Sequence, residues 1–109
     1  MKKCRTLNEV RKNIDTIDNQ IVKLLIKRSS FVLQATYFKT KKSQLIDRRR
    51  IGKIIDRVKG IAKKNKLEPI IAEKIFRRMI DQFIALETKE FSRIKSKNSS
   101  SPIWRCYRR

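Results

Sequence analysis

The 109-residue chain has no histidine, and its two cysteines, Cys4 and Cys106, stand near opposite termini. With no imidazole and no cysteine pair at ligand spacing, no metal site is expected. Two distant thiols in a chain without a secretion signal are expected to be free and reduced. Glycine and proline are equally scarce, and only Gly52, Gly60 and Pro69 interrupt the first 91 residues. Strand-and-turn architectures need more punctuation than that, so long helices are expected. No apolar run approaches the roughly 18 residues of a membrane span. The opening Met1-Lys2-Lys3-Cys4-Arg5 leads into Leu7-Asn8-Glu9 instead of an apolar signal core. The expected location is therefore cytoplasmic. Acids are the last scarcity: 10 Asp and Glu face 30 Lys and Arg, a net charge of +20. Such an excess attracts small anions, nucleic acid and anionic surfaces alike, and by itself selects none of them.

The first helix is present as a period. Leu7, Val10, Ile14, Ile17, Ile21, Leu24, Phe31, Ala35 and Phe38 follow alternating steps of three and four, with Arg28 in the one charged seam position. That is the seam of a helix packed lengthwise on another. With no Gly or Pro from Leu7 to about Lys42, the helix is expected to run some 36 residues, roughly 54 Å. So short a chain cannot cover that length alone, which argues for a homodimer. A polar break follows over residues 41–46. Asp47 is the expected N-cap of a second helix with Ile51, Ile54, Ile55, Val58 and Ile61/Ala62 on its apolar face. It ends near Asn65, expected in the left-handed cap conformation. Pro69 suits the first turn of a third helix, whose stripe is Ala72, Phe76, Met79, Ile80, Phe83 and Phe91. The expected class is all-α: three helices over residues 1–91, paired into an intertwined homodimer. Residues 92–109 are expected to form a basic, disordered tail in which Ile103, Trp104 and Tyr107 are the only docking candidates.

The informative residues are charges on faces that ought to be apolar. On a helix continuing through residue 39, Arg28 and Lys39 fall about 20° apart, with Val32 and Ala35 between them. No Asp or Glu occurs between Asp18 and Asp47, so these cations have no local partner. Their anion must come from another helix or from a ligand. Arg11 lies about 100° round the helix and roughly 25 Å away from Arg28. It reaches such a site more readily from a second copy in an antiparallel pair. Glu87 shares the direction of Phe76 on the third helix, where an acid either pairs with a cation or is protonated by desolvation. Arg50 precedes the apolar Ile51. An arginine on an amphipathic helix ordinarily snorkels to water; it is the joint placement of Arg28 and Lys39 that points to a compact polyanion.

These residues resemble a known family, the all-helical chorismate mutases with the related isochorismate-pyruvate lyases. Leu7 to Asp18 is similar to the family's opening motif, Leu24-Leu25-Ile26-Lys27-Arg28 and Tyr37-Phe38-Lys39 to the next two, and Asp47 with Arg50 to the start of the second helix. Leu67-Glu68-Pro69 through Ile75-Phe76-Arg77 matches the entry to the third. The resemblance spans residues 7–91. It implies an intertwined dimer in which Arg28, Lys39 and Arg50 of one chain combine with Arg11 of the other to hold a dianionic substrate. Lys39 and Glu87 would reach its ether oxygen. The implied reaction is the pericyclic rearrangement of chorismate to prephenate, with no cofactor and no nucleophile.

Two positions depart from the mutase pattern. Where mutases commonly carry a Glu that binds the ring hydroxyl, this chain has Ile51; where some carry a small hydroxyl residue, it has Phe83. Both substitutions lean towards the lyase, which eliminates pyruvate from isochorismate to leave salicylate. The mutase is placed first as the commoner activity of the family. A rival of another class is a basic helical nucleic-acid-binding protein, which explains the charge but not an arginine at seam position 28; any nucleic-acid contact is expected to be non-specific.

Overall fold

A computed structural model describes residues 3–96 of the chain. Their order is α1 (Leu7–Thr36), a 3₁₀ turn (Lys42–Leu45), α2 (Arg48–Lys64) and α3 (Pro69–Ser96). No strand occurs among the described residues. The expected basic tail beyond Ser96, with Trp104, Cys106 and Tyr107, lies outside them. By contact density the chain divides into two compact units at Phe31/Val32, within α1.

In the first unit α1 starts where the sequence places it. Thr6 Oγ1 accepts the Glu9 N–H at 3.1 Å, and the Glu9 carboxylate accepts the Arg5 N–H at 2.7 Å. Orphan donors at the helix entrance are thereby satisfied. The heptad seam is there too, and it is uncovered. Val10 is 39% exposed, Ile14 50%, Ile17 52%, Ile21 48% and Leu24 62%.

The second unit holds the core. Ile54, Ile55 and Val58 of α2 and Ile80 of α3 form its buried centre, with Ile51, Ala72, Phe76 and Ile84 packed around them. The spacing of the α2 members puts one face of that helix against α3, as its sequence predicts. Ile61 does not join them: it is 55% exposed, and Ala62 is the buried residue at that turn. Lys59 of α2 and Glu73 of α3 pair at 3.5 Å, and Arg77 holds the same carboxylate at 2.9 Å. Glu73 is thereby held below the ordinary carboxylate value, first by its hydrogen bond from Arg77. α3 also packs on the 3₁₀ turn, where Leu45 is buried.

Three boundaries differ from the sequence expectation. α1 stops at Thr36, not near Lys42. Its last turn tightens to i→i−3 bonds, with the N–H groups of Tyr37, Phe38 and Lys39 donating to Gln34, Ala35 and Thr36. Thr36, Tyr37, Phe38 and Thr40 are all weak helix formers, so little resists this ending. At the end of α2 the left-handed residue is Lys66 (φ 63°), whereas Asn65 has φ −104°. The Leu67 N–H donates to Ala62 and the Lys66 N–H to Lys63, closing a Schellman turn one residue later than expected. Asn65 instead spends its side-chain amide on the Ile61 carbonyl at 2.9 Å. Finally, α3 runs on to Ser96 because Ile94 is buried and Arg93 grips Glu90 one turn back.

Candidate active site

Since α1 ends at Thr36, Lys39 is not on a helix, and the angular argument joining it to Arg28 does not apply to it. It lies in the short connection to the 3₁₀ turn. Its ammonium reaches the Glu87 carboxylate of α3 at 2.9 Å, with 24% and 10% of the two side chains exposed. The anion missing between Asp18 and Asp47 is thus supplied from another helix, 48 residues on. Of the two fates open to an acid on that face of α3, pairing is the one observed.

Lys39 also forms part of the wall of a depression of about 540 Å³, together with Ser43, Gln44, Ile46, Asp47 and Arg48. That is within the roughly 300–1,000 Å³ of small-molecule sites. Asp47 performs the capping role expected of it, accepting the Arg50 N–H at 3.0 Å. Its carboxylate is therefore fixed at the entrance of α2, where the helix dipole favours negative charge. Arg50 is exposed in the first turn of that helix. Ile51 is half-buried against the α2–α3 core. Phe83 is half-buried one turn before Glu87. Arg11, exposed, and Arg28, half-buried, belong to the first unit.

The structure therefore joins Lys39 to Glu87 directly, and Lys39 to Asp47 around one depression. Sequence reasoning overlooked Ser43, Gln44 and Arg48, since a polar stretch without helical period gives no facing direction. It also overlooked Glu90, although that residue is visible in principle as a second acid three positions after Glu87. Glu90 is only 8% exposed. It accepts both Nε and Nη2 of Arg93 at 2.8 Å and the Tyr37 hydroxyl at 3.3 Å. Its carboxyl is held below the ordinary value, chiefly by the hydrogen bonds from Arg93.

Chemically, the centre offers a half-buried cation, a buried carboxyl group and a neighbouring small-molecule-sized space. Among the described residues there is no cluster of His, Cys, Asp and Glu able to hold a metal ion. No described helix is long and apolar enough to cross a membrane.

Comparison with known proteins places the chain in a family. The family model described as chorismate mutase type II matches residues 10–88. A chorismate mutase from Methanocaldococcus jannaschii is 33% identical over 93 residues, covering 84% of this chain and 94% of that protein.

Proposed function

The chain belongs to the chorismate mutase type II family, and from that premise we propose that it rearranges chorismate to prephenate at the Lys39–Glu87 centre. The observation that carries the assignment is the 2.9 Å pair itself, a cation and a carboxyl held together beside a cavity of suitable size. The reaction is pericyclic: one C–O bond breaks as one C–C bond forms, and no proton or nucleophile is consumed. What a protein contributes is a folded substrate conformation and a complement to the negative charge growing on the ether oxygen. Lys39 supplies the cation for that oxygen. Arg28, Arg50 and the partner subunit's Arg11 hold the two carboxylates, and Asp47 orders the entrance of α2 and with it Arg50.

The homodimer is part of this proposal. The uncovered seam of α1, from Leu7 to Leu24, has the heptad spacing of a helix–helix interface. A second copy would cover it; complete burial of an Ile or Leu contributes about 1.5–3 kcal/mol, and these side chains, already about half covered, would gain roughly half of that each. That copy would also deliver the partner subunit's Arg11.

Glu87 acts beside Lys39, with which it pairs at 2.9 Å. Glu87→Gln keeps a group that can hydrogen-bond to the ether oxygen and retains turnover of chorismate, whereas Glu87→Ala removes it and lowers kcat about tenfold or more. Equal kcat in Glu87→Ala and the wild type contradicts this role for Glu87.

A second reading is favoured by one observation. Ile51 packs on the apolar core, so its position offers no hydrogen bond to a ring hydroxyl. The same cations would then eliminate pyruvate from isochorismate. Supplying the two substrates separately decides between them: prephenate supports the mutase, and salicylate with pyruvate reverses the order.

A further inference from the structure

Lys39 poses a positioning problem. A cation that must meet one oxygen within a few tenths of an ångström does not sit on a helix, for α1 has ended three residues earlier. The exposed segment that follows it is only a 3₁₀ turn. Lysine itself has four rotatable methylenes and a strongly hydrated head, so its side chain brings no order of its own. Something must fix the backbone on which it stands.

Two devices do so, one on each side. On the C-terminal side, Gln44 folds back so that its Oε1 accepts the N–H of Thr40 at 2.7 Å and of Lys41 at 2.9 Å, with the Thr40 hydroxyl at 3.4 Å. The Gln44 N–H in turn donates to the Lys41 carbonyl at 3.0 Å. One side-chain oxygen thus ties down the two residues that follow Lys39. On the N-terminal side, Tyr37 donates its hydroxyl to Glu90 of α3. Glu90 cannot swing, because Arg93 holds both of its oxygens. The spacing reinforces the effect. Tyr37 and Lys39 are two residues apart on one strand of chain, and Glu90 and Glu87 are three apart on α3, so the two contacts form consecutive rungs.

We propose that Gln44 and the Tyr37–Glu90–Arg93 set are positioning residues that bracket Lys39 and hold its ammonium at the reacting oxygen. The Tyr37–Glu90–Arg93 set acts through the backbone of residues 37–41 alone; Gln44, which also lines the depression, acts through the same backbone. The consequence for catalysis rests on the mutase assignment, whereas the bracket itself does not.

The test separates the two. In trace labelling of the full-length protein with acetic anhydride, read by mass spectrometry, the modification rate of Lys39 is compared with that of the exposed Lys53. Tyr37→Phe removes one hydroxyl and Gln44→Ala one acceptor. Each raises the Lys39 rate about threefold or more relative to Lys53, as local opening of the segment becomes easier. Gln44→Glu keeps the acceptor oxygen and keeps the wild-type rate. An unchanged Lys39 rate in both Tyr37→Phe and Gln44→Ala overturns the bracket whatever the substrate is. With chorismate, the same two variants lose about tenfold in kcat while KM stays within about twofold, since misplacement affects the developing charge more than binding. Unchanged kcat in both overturns the positioning role. If the wild-type protein does not turn over chorismate, the functional assignment falls alone, and the labelling still decides the bracket.

Discussion

The two units of this chain treat their apolar residues in opposite ways. In the second, Ile54, Ile55, Val58 and Ile80 are each less than a tenth exposed and pack on one another across α2 and α3. In the first, residues of the same kind at an equally regular spacing stand about half exposed along α1. The second unit is finished at its centre by its own chain, although Phe38, Ile70, Ile71 and Ile75 stay exposed at its surface; the first has no such centre and is left unfinished along its seam. The residues proposed for the site are divided along the same line. Lys39, Asp47, Arg50 and Glu87 belong to the finished unit, and Arg11 and Arg28 to the unfinished one. The lesson is that hydrophobic period marks a helix face fit for burial without telling what covers it.

The largest effect is expected at the charge. Lys39→Ala removes the cation opposed to the developing oxyanion and lowers kcat by about a hundred- to a thousandfold, the usual loss for one such group; steady-state kinetics on chorismate checks it. Next comes the unfinished face. Ile14→Asp with Ile17→Asp places charges in the seam and converts the proposed dimer to monomer by analytical ultracentrifugation. Activity falls with it, while the α2–α3 core keeps its helical circular dichroism. In the finished unit, Ile55→Ala leaves a cavity in a residue only 2% exposed. Denaturant unfolding should show a loss of about 2–5 kcal/mol. Asp47→Ala removes the cap of α2 at about 0.5–2 kcal/mol.

The smallest effect concerns acid stability. Glu90 is held below its ordinary value by Arg93, so the folded state binds that proton less readily than the unfolded one. The stabilisation is present above the unfolded carboxylate value and is lost as pH falls through the folded one. Melting temperature therefore declines below about pH 4, and Glu90→Gln makes that decline shallower. A wild-type melting temperature constant down to the acid limit contradicts it.

Much of the fold was legible in the sequence because its signals are local. The α2 face, the Asp47 cap and Pro69 at the start of α3 depend on neighbours within a few residues. The early end of α1 was not legible, since it accompanies a contact between Tyr37 and Glu90 that spans 53 residues. That early end takes Lys39 off the helix and removes the basis for its angular pairing with Arg28. In the site, charges on faces expected to be apolar singled out Lys39 and Glu87, and the structure pairs them. Gln44 and Ser43 gave no such signal, for polar residues in a polar turn look alike until the turn is seen. Lys66 rather than Asn65 takes the left-handed position because the Leu67 bond to Ala62 sets the turn there, and residue preference alone chooses the wrong member of that pair.

In the proposed dimer the uncovered face of α1 is completed by a second copy whose Arg11 enters the site built around Lys39. Mixing two inactive variants, Arg11→Ala and Lys39→Ala, after joint unfolding and refolding tests it most directly. Random pairing makes half of the dimers mixed, and each mixed dimer has one site with both residues intact, so about a quarter of wild-type activity returns. A mixture that stays at the average of its two inactive components contradicts the shared site.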